Sequence, residues 1–310
     1  MSAIATRQLT RRFGDLDAVS SLDLSVAEGE IFGLVGPDGA GKTTTLRMLA
    51  SILDPTSGEA SVAGFDVVRQ ADAVKDHIGY MSQVFGLYTD LTVAENIRFY
   101  ADIYGVTRRE RAERMERLLG FSGLAPFQDR LAGALSGGMK QKLGLMCALI
   151  HRPKVLLLDE PTNGVDPVSR RDFWRILHQL LRERVTILIT SAYLDEAERC
   201  ARIGLMSAGR LLAAGAPEEV KRLLRAAVIE VRCASPRKAA DVLRAHMPEL
   251  RPGLFGERLH LLSPTPDRDA PRVRKALERD GVRVDSIHTV DPSLEDVFIS
   301  IAPGTGEART

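Results

Sequence analysis

The sequence predicts an α/β fold in which a largely parallel sheet is wrapped in helices, followed by a smaller α+β unit. Short apolar, β-prone runs alternate with helical segments through most of the chain, which is typical of parallel sheets. A glycine-rich stretch, residues 36–44, lies between one such run and a helical segment. The pattern changes near residue 222, so we predict a main domain over 1–222, an accessory α+β domain over 223–302 and a tail over 303–310.

The individual elements follow from hydrophobic periodicity and from breaker residues. In the main domain we expect strands at 3–9, 22–26, 30–35, 155–158 and 185–190, and helices at 42–52, within 92–120, at 139–150 and at 169–181. In the accessory domain we expect strands at 227–233, 258–262 and 282–289, and helices at 236–246, 270–280 and 293–301. Ser293 would cap the last helix, whose first turn carries Glu295 and Asp296.

Composition excludes some classes of function. The 310 residues are 45% apolar, enough for true cores, and they include 42 basic and 41 acidic side chains. Because this balance makes no broad basic surface, we expect no nucleic acid partner. No apolar run approaches about 18 residues, and the first residues lack the apolar core of a signal peptide, so we expect neither a membrane span nor a leader. Cys147, Cys200 and Cys233 have no metal-ligand spacing and suit a reducing compartment.

The glycine-rich stretch is a complete phosphate-binding loop between a strand and a helix. Its residues are Gly36, Pro37, Asp38, Gly39, Ala40, Gly41, Lys42, Thr43 and Thr44. Glycines let backbone N–H groups surround phosphate oxygens, and the helix N-terminus adds partial positive charge. In this motif the lysine reaches the β- and γ-phosphates and the next hydroxyl binds Mg²⁺. The loop therefore predicts a nucleoside triphosphate, although kinases, GTPases and motor ATPases all share it.

Two further segments narrow the chemistry. An apolar strand ends at Asp159 and Glu160, which supplies one carboxylate for a metal and one for the attacking water of phosphoryl transfer. Ser136, Gly137 and Gly138 open a predicted helix and make a second candidate anion site. Taken alone, the first segment could be an ordinary buried strand with polar ends, and the second a common loop.

Together these motifs resemble the ATP-binding cassette subunit of ABC transporters, over about residues 4–220. Their order and spacing match that family: the phosphate loop (Walker A), Gln83 in the Q-loop, the signature at 135–139, Walker B at 155–160 and the D-loop at 163–166. Phe13 lies where the family has an aromatic ring that stacks on adenine. A core aromatic near the first strands is the alternative for Phe13.

The resemblance implies a P-loop NTPase core of the ABC ATPase type, with an antiparallel β subdomain and a helical subdomain. It implies ATP and Mg²⁺ as cofactors, with Thr43, Gln83 and Asp159 at the metal and Glu160, Gln83 and Lys42 as catalytic residues. The nucleotide would be bound by Phe13, residues 36–44, Gln83, Ser136, Gly137, Gly138, Asp159 and Asp166. Each phosphate loop would face the signature of a second cassette, in a head-to-tail homodimer or heterodimer.

Three segments resemble exporter subunits of the daunorubicin-resistance type: 79–83, 87–96 and 291–298. Those subunits pair with a separate six-helix permease. We therefore expect an integral-membrane partner, multidrug export powered by ATP hydrolysis, and a peripheral location on the cytoplasmic face of the cell membrane. The permease would dock at the apolar residues Val84, Phe85, Leu87 and Tyr88, for which a core position is the alternative.

Two residues depart from the family pattern. Asp38 replaces an asparagine, and a carboxylate about 4 Å from a phosphate would cost roughly 4 kcal/mol at an effective dielectric constant of 20. We therefore expect Asp38 to point away, toward the opposing subunit. Ala192 replaces a histidine that contacts the γ-phosphate and the catalytic water, and none of the six histidines is in register to take its role. Because residues 191–199 resemble the first half of fused two-cassette efflux ATPases, this chain is expected to work beside a different cassette.

Other functions fit less well. Soluble ABC ATPases of translation carry two cassettes per chain, and those of DNA repair insert a long coiled coil between the phosphate loop and the signature. Lys42 and Ser136 are only 94 residues apart (136 − 42), which leaves no room for such an insertion. The signature and the D-loop argue against a P-loop kinase. A nucleotide-binding regulatory cassette with little turnover remains open because of Ala192.

Overall fold

The computed structural model describes residues 2–84 and 86–302. By Cα proximity the chain divides into two compact units, one of residues 1–214 and one that begins at Gly215. Each unit has its own hydrophobic core. The predicted domain limits, 1–222 and 223–302, stay a prediction, and the predicted tail at 303–310 lies outside the described residues.

The first unit alternates strands and helices after an opening hairpin. Its strands are β1 (Ser2–Phe13), β2 (Leu16–Ala27), β3 (Ile31–Val35), β4 (Ser57–Val62), β5 (Phe65–Asp66), β6 (Ile78–Met81), β7 (Val155–Asp159), β8 (Thr186–Ser191), β9 (Arg202–Ser207) and β10 (Arg210–Gly215). Its helices are α1 (Lys42–Leu49), α2 (Ala71–His77), α3 (Val93–Ile103), α4 (Arg108–Ser122), α5 (Gly137–Leu149), α6 (Pro167–Leu181) and α7 (Leu194–Ala197).

A six-stranded sheet with the order β10-β9-β3-β8-β7-β6 forms the centre of this unit. The neighbours from β9 to β6 pair in parallel. Every residue of β3, β7 and β8 is buried, as expected when helices cover both faces of a parallel sheet. Because parallel strands all end at one edge, the loops that follow β3, β6, β7 and β8 meet there.

An antiparallel sheet with the order β2-β1-β4-β5 packs beside this centre. Helix α1 contacts β7 of the central sheet and β2 and β4 of the antiparallel sheet. Its buried residues Leu46, Met48 and Leu49 join side chains of both sheets in one core. The phosphate loop thus leads into a helix that is anchored on two sides.

The helical region predicted at 92–120 consists of two helices. Thr92 and Glu95 form a capping box at the start of α3, and Thr107 caps α4. Gly105 separates the two helices with a φ of +63°, a left-handed conformation that ends α3 at low cost. Helix α5 then contacts α3, α4, α6 and β6, so it joins the helical region to the central sheet.

The second unit is a small α+β layer. Its elements are α8 (Pro217–Lys221), β11 (Ala227–Cys233), α9 (Pro236–His246), β12 (Gly253–Phe255), β13 (Arg258–Ser263), α10 (Pro266–Arg279), β14 (Val284–Val290) and α11 (Leu294–Ile301). The sheet is antiparallel with the order β12-β13-β11-β14. Alternate residues of β11 and β13 pack with α9 and α10 in its core. As predicted, Ser293 caps α11.

The α/β class with antiparallel and helical parts is confirmed, and so is a small α+β unit in the second part of the chain. The sequence analysis did not predict β4, β5, β6, β9, β10, β12, α2, α7 or α8. These elements are short, and several, such as β10 with its half-exposed residues, show no clean apolar period.

Two expectations from composition concern membranes and thiols. Within the described ranges, no helix has both the length and the hydropathy needed to cross a bilayer.

The three cysteines are buried and unpaired. Burial raises the pKa of the Cys147 thiol, and it raises that of Cys200 to about 12. These thiols are therefore packing groups that stay protonated and unreactive at neutral pH.

Candidate functional site

The phosphate loop runs from the end of β3 to the first turn of α1. Gly41 has a φ of 102° and Gly39 a φ of 78°, a region that favours glycine. A Cβ on Gly36 would lie 2.0 Å from the carbonyl oxygen of Met206, and a Cβ on Gly41 would lie 2.3 Å from that of Ala18. The glycines of this loop are therefore required by backbone conformation and by close approach of neighbouring strands.

The ammonium group of Lys42 is buried inside the loop. It donates to the carbonyl oxygens of Gly36 (2.7 Å) and Pro37 (3.0 Å), and it pairs with the Glu160 carboxylate at 3.0 Å. These three acceptors engage all three of its N–H groups. Because only 4% of Lys42 is exposed, the buried charge needs such partners, and the protein by itself supplies them.

Asp159, the last residue of β7, accepts two hydroxyl hydrogen bonds on one oxygen. Thr43 at the start of α1 donates from 3.0 Å and Thr190 near the end of β8 donates from 2.8 Å. Burial raises the pKa of Asp159, and these two hydrogen bonds oppose the rise. A cation beside Asp159 would favour its ionised form in the same way.

The backbone of Glu160 is in the left-handed region, which residues other than glycine rarely adopt. Its φ is 47°, and its N–H donates to the Thr190 hydroxyl at 3.0 Å. The second carboxylate oxygen accepts from the amides of Gln83 (3.2 Å) and Asn163 (3.5 Å). A non-glycine residue in this region costs about 1–3 kcal/mol, and such strain clusters at functional sites.

One cavity of about 600 Å³ brings most of these groups together. Its lining includes Phe13, Leu16, Asp17, Ala18, residues 38–44, Gln83, Glu160, Asn163, Ala208 and Gly209. The volume lies in the range of sites for small ligands. A larger cavity of about 1210 Å³ is lined in part by Lys154, just before β7, and by Thr186 at the start of β8. Of its described lining residues, Val155 alone belongs to a motif, as the first residue of Walker B.

Phe13 lies at the edge of this cavity, with 47% of its surface exposed. The guanidinium of Arg11 stacks over its ring at 4.6 Å. The alternative that Phe13 is a core aromatic is therefore wrong. An exposed ring beside a phosphate loop is available to a planar ligand.

The signature residues do not line the cavity, although the sequence analysis assigned them to nucleotide binding. Ser136 caps α5 and accepts from the N–H of Met139 at 3.3 Å. A Cβ on Gly137 would meet no described atom outside its own helix within 4 Å, whereas a Cβ on Gly138 would lie 2.3 Å from that of Ser169 in α6. Gly137 is thus open to an approaching group, and Gly138 allows two helices to pack closely.

Asp166 also lies outside the cavity lining. Its carboxylate caps α6 by accepting from the N–H groups of Val168 (3.1 Å) and Ser169 (2.9 Å). The hydroxyl hydrogen bond from Ser169 lowers the pKa of Asp166, with help from the backbone donors. Within this chain the side chain therefore works as a helix cap.

The two departures from the family pattern are both exposed. Asp38 lines the cavity and has no cationic partner among the described residues. Ala192 follows β8 as an exposed methyl group, and no histidine is found among the described residues that line the cavity. The predicted direction of Asp38 toward an opposing subunit stays a prediction.

Sequence reasoning missed Thr190, which binds both Asp159 and the backbone of Glu160. In the sequence, Thr190 is marked as a candidate site residue only by its position near the end of an apolar strand. The parallel register that pairs Asp159 with Thr190 becomes visible only in the sheet.

Over residues 19–163 the chain matches the protein family described as ABC transporter. It is 43% identical over 316 residues to the probable multidrug ABC transporter ATP-binding protein YbhF of Escherichia coli (strain K12), and the match covers 100% of this chain and 54% of that protein. The chain thus spans about half the length of that relative. It is 36% identical over 306 residues to the daunorubicin resistance ATP-binding protein DrrA2 of Streptomyces coeruleorubidus, covering 96% and 94% of the two chains.

A third relative, the Nod factor export ATP-binding protein I of Rhizobium etli, is 35% identical over 303 residues, with 97% and 93% covered. Among solved structures, the ATP-binding subunit of an ABC transporter superposes with a TM-score of 0.65 at 26% identity, covering 72% of this chain and 93% of that one. An ATP-binding cassette of an ABC transporter in its ADP conformation superposes with a TM-score of 0.65 at 26% identity, covering 71% and 92%.

Proposed function

Because the chain belongs to the family of ABC transporter ATP-binding proteins, we propose that it binds and hydrolyses ATP to power export through a separate membrane permease. Relatives that this chain covers almost completely are named for daunorubicin resistance and for Nod factor export. Both names describe removal of a compound from the cell or resistance to it. This supports transport over a role in translation or DNA repair.

The observation that carries the proposal is the position of Lys42 and Glu160 at one phosphate-binding cavity. The two side chains form an ion pair at 3.0 Å. A bound triphosphate would offer Lys42 anionic oxygens that compete with the Glu160 carboxylate as well as with the backbone carbonyls, and this competition would release Glu160. The freed carboxylate could then orient and deprotonate a water for attack on the γ-phosphate, while Gln83 holds its second oxygen.

Mg²⁺ fits the oxygen donors at the end of β7. Thr43 and Asp159 already contact each other at 3.0 Å, and hydroxyl and carboxylate oxygens are ligands that Mg²⁺ accepts. The described residues contain no group of three or more His, Cys, Asp or Glu side chains that could hold a metal by themselves. Water and phosphate oxygens would therefore complete the shell, with the Gln83 carbonyl as a further ligand. Bound Mg²⁺ would neutralise charge on the β- and γ-phosphates.

The family resemblance assigns nucleotide binding to Ser136, Gly137, Gly138 and Asp166, and these residues lie outside the cavity lining, which supports a second cassette. In a head-to-tail dimer these residues would reach the nucleotide of the partner, and the open face of Gly137 supports this arrangement. We propose such a dimer, with the permease holding it at the cytoplasmic face of the membrane. The cargo would then depend on the permease.

Part of the proposed permease-docking segment is open to solvent. Val84 is 86% exposed and Tyr88 is 44% exposed, so neither is a core residue. Leu87 is half-buried, and Phe85 lies outside the described residues. Exposed apolar side chains that follow Gln83 support a protein partner at this surface.

Membrane vesicles that contain this chain and its permease provide the test. We expect the permease to stimulate ATP hydrolysis, and we expect Tyr88→Asp to remove the stimulation and leave the basal rate unchanged. Ile52→Asp is the matched control, because Ile52 is 57% exposed and lies outside the docking segment. A rate of ATP hydrolysis that is the same with and without the permease in every preparation would contradict the proposal.

A second candidate function follows from Ala192. Its methyl group cannot contact a γ-phosphate by hydrogen bonding, and loss of one such transition-state contact typically costs about 10²–10³ in rate. The chain would then be a weakly hydrolysing or regulatory cassette that works beside a partner carrying the histidine.

Ala192→His distinguishes the two candidates. For a heteromeric transporter we expect the isolated protein to hydrolyse ATP weakly and the substitution to raise kcat by up to about 10²-fold. Ala192→Gln, which adds a side chain without an imidazole, is the control. A brisk wild-type ATPase that Ala192→His leaves unchanged or slows would favour a homodimer.

A further inference from the structure

A buried carboxylate outside the cavity lining connects the two loops that border the proposed site. Glu196 in the short helix α7 is 1% exposed. Its two oxygens accept hydrogen bonds from different segments: Thr162 Oγ1 in the loop after β7 donates at 2.7 Å, and Ser191 Oγ at the end of β8 donates at 2.8 Å. Thr162 follows Glu160 by two residues, and Ser191 directly precedes Ala192.

Further contacts extend this junction on both sides. The Ser191 hydroxyl accepts from the N–H of Tyr193 at 3.0 Å, and the Ser191 carbonyl accepts from the N–H of Gly36 at 3.2 Å. Arg170 of α6 lies 3.4 Å from the Glu196 carboxylate and stacks over the Tyr193 ring at 5.0 Å. The loop after β7, helix α6, the loop after β8 and the phosphate loop are thus all tied to one carboxylate.

Thr162 and Ser191 are 2% and 6% exposed, so these hydrogen bonds are shielded from water. A buried carboxylate with hydrogen-bond partners on separate segments restrains these segments together, because displacing one of them removes a partner that water cannot readily replace. The restraint acts where the backbone of Glu160 is already strained at a φ of 47°. Holding Thr162 in place therefore helps to hold Glu160 in that conformation.

We propose that Glu196 is a positioning residue that locks the loop carrying Glu160 to the loop carrying Ala192. The inference rests on the proposed ATPase function for its catalytic consequence, although the junction itself can be tested without turnover. Since the methyl group of Ala192 can form no hydrogen bond that would fix its own loop, the backbone position of that loop depends on Ser191 and Glu196. The position of the Glu160 carboxylate then depends on a residue outside the cavity lining.

Hydrogen exchange measured by mass spectrometry tests the junction in the whole chain. Thr162→Val keeps the side-chain shape and removes one donor to Glu196, so we expect faster exchange in residues 191–199, across the junction. Ser191→Ala is expected to speed exchange in residues 160–166. Thr186→Val is the matched control: its buried hydroxyl, at the other end of β8, accepts from the Gly29 N–H at 2.9 Å. We expect it to change neither segment.

ATP kinetics supply the second measurement. Thr162→Val is expected to lower kcat about tenfold to a hundredfold, as small misplacements of catalytic groups do, with the Kd for ATP within twofold of wild type. Glu196→Gln keeps two hydrogen-bonding atoms, so we expect it to lower kcat less than Glu196→Leu does. Hydrogen exchange that becomes faster only in the segment carrying the substitution would overturn the inference. An unchanged kcat in Thr162→Val would overturn it as well. A wild-type protein that hydrolyses no ATP in any assembly would instead refute the proposed function, while the exchange result would still decide the junction.

Discussion

Glu160→Gln is expected to abolish steady-state ATP hydrolysis and to preserve ATP binding. Glutamine has the same shape and can still accept from Gln83, but it cannot take a proton from water. Removing a general base typically costs about 10²–10⁴ in rate. Phosphate release measured at saturating ATP and Mg²⁺, with the permease and any partner cassette present, gives the result.

The same substitution is expected to change the affinity for ATP, because the Glu160 carboxylate pairs with Lys42 at 3.0 Å. Glutamine removes a charge that competes with the phosphates for Lys42. Lys42 keeps the carbonyl oxygens of Gly36 and Pro37, so the fold should persist. We therefore expect the substituted protein to bind ATP at least as tightly as wild type, which titration with a fluorescent ATP analogue would measure.

Glu183→Gln is the control for Glu160→Gln. It also removes one carboxylate from an ion pair, with Arg117, but outside the nucleotide cavity. We expect its turnover to equal that of wild type. When hydrolysis is blocked in both cassettes, the dimer should persist with ATP in size-exclusion chromatography. Wild-type turnover by Glu160→Gln would remove Glu160 from the mechanism.

Gly138→Ala and Gly137→Ala are expected to differ sharply, although the two glycines are adjacent in the signature. A methyl group on Gly138 would lie 2.3 Å from Ser169 Cβ, so α5 and α6 would have to separate. Overpacking of this kind typically costs about 1–3 kcal/mol of unfolding free energy. A methyl group on Gly137 meets open space, so we expect Gly137→Ala to leave the free energy of unfolding close to that of wild type.

For Gly137→Ala we expect the defect to appear in dimer formation and not in stability. Gly137→Ala is expected to fold as well as wild type and yet to lose the ATP-dependent dimer, because its methyl group projects where a partner's phosphates would approach. Thermal unfolding and size-exclusion chromatography measure the two effects separately. The double variant Gly138→Ala with Ser169→Gly should recover much of the lost stability. A Gly137→Ala protein that dimerises normally with ATP would contradict the proposed role of the signature.

The local elements and their order could be predicted from sequence because they depend on neighbouring residues. Helices α9 and α11 and strand β11 are close to their predicted limits, since a periodic apolar pattern and caps such as Ser293 act within a few residues. The short elements β5 and β12 escaped prediction, because two or three residues carry no period and depend on a neighbouring strand for pairing.

The sequence by itself determined the α/β class, the phosphate loop and the order of the motifs. Only the tertiary structure decided which side chains meet. The parallel register of β7 and β8 brings Thr190 to Asp159, and the packing of α1 brings Thr43 there as well. The exposure of Phe13, the contrast between Gly137 and Gly138 and the burial of Glu196 between two loops likewise depend on residues far apart in the chain. Sequence patterns report the conformation of a segment, whereas distances across a sheet arise from how several segments pack together.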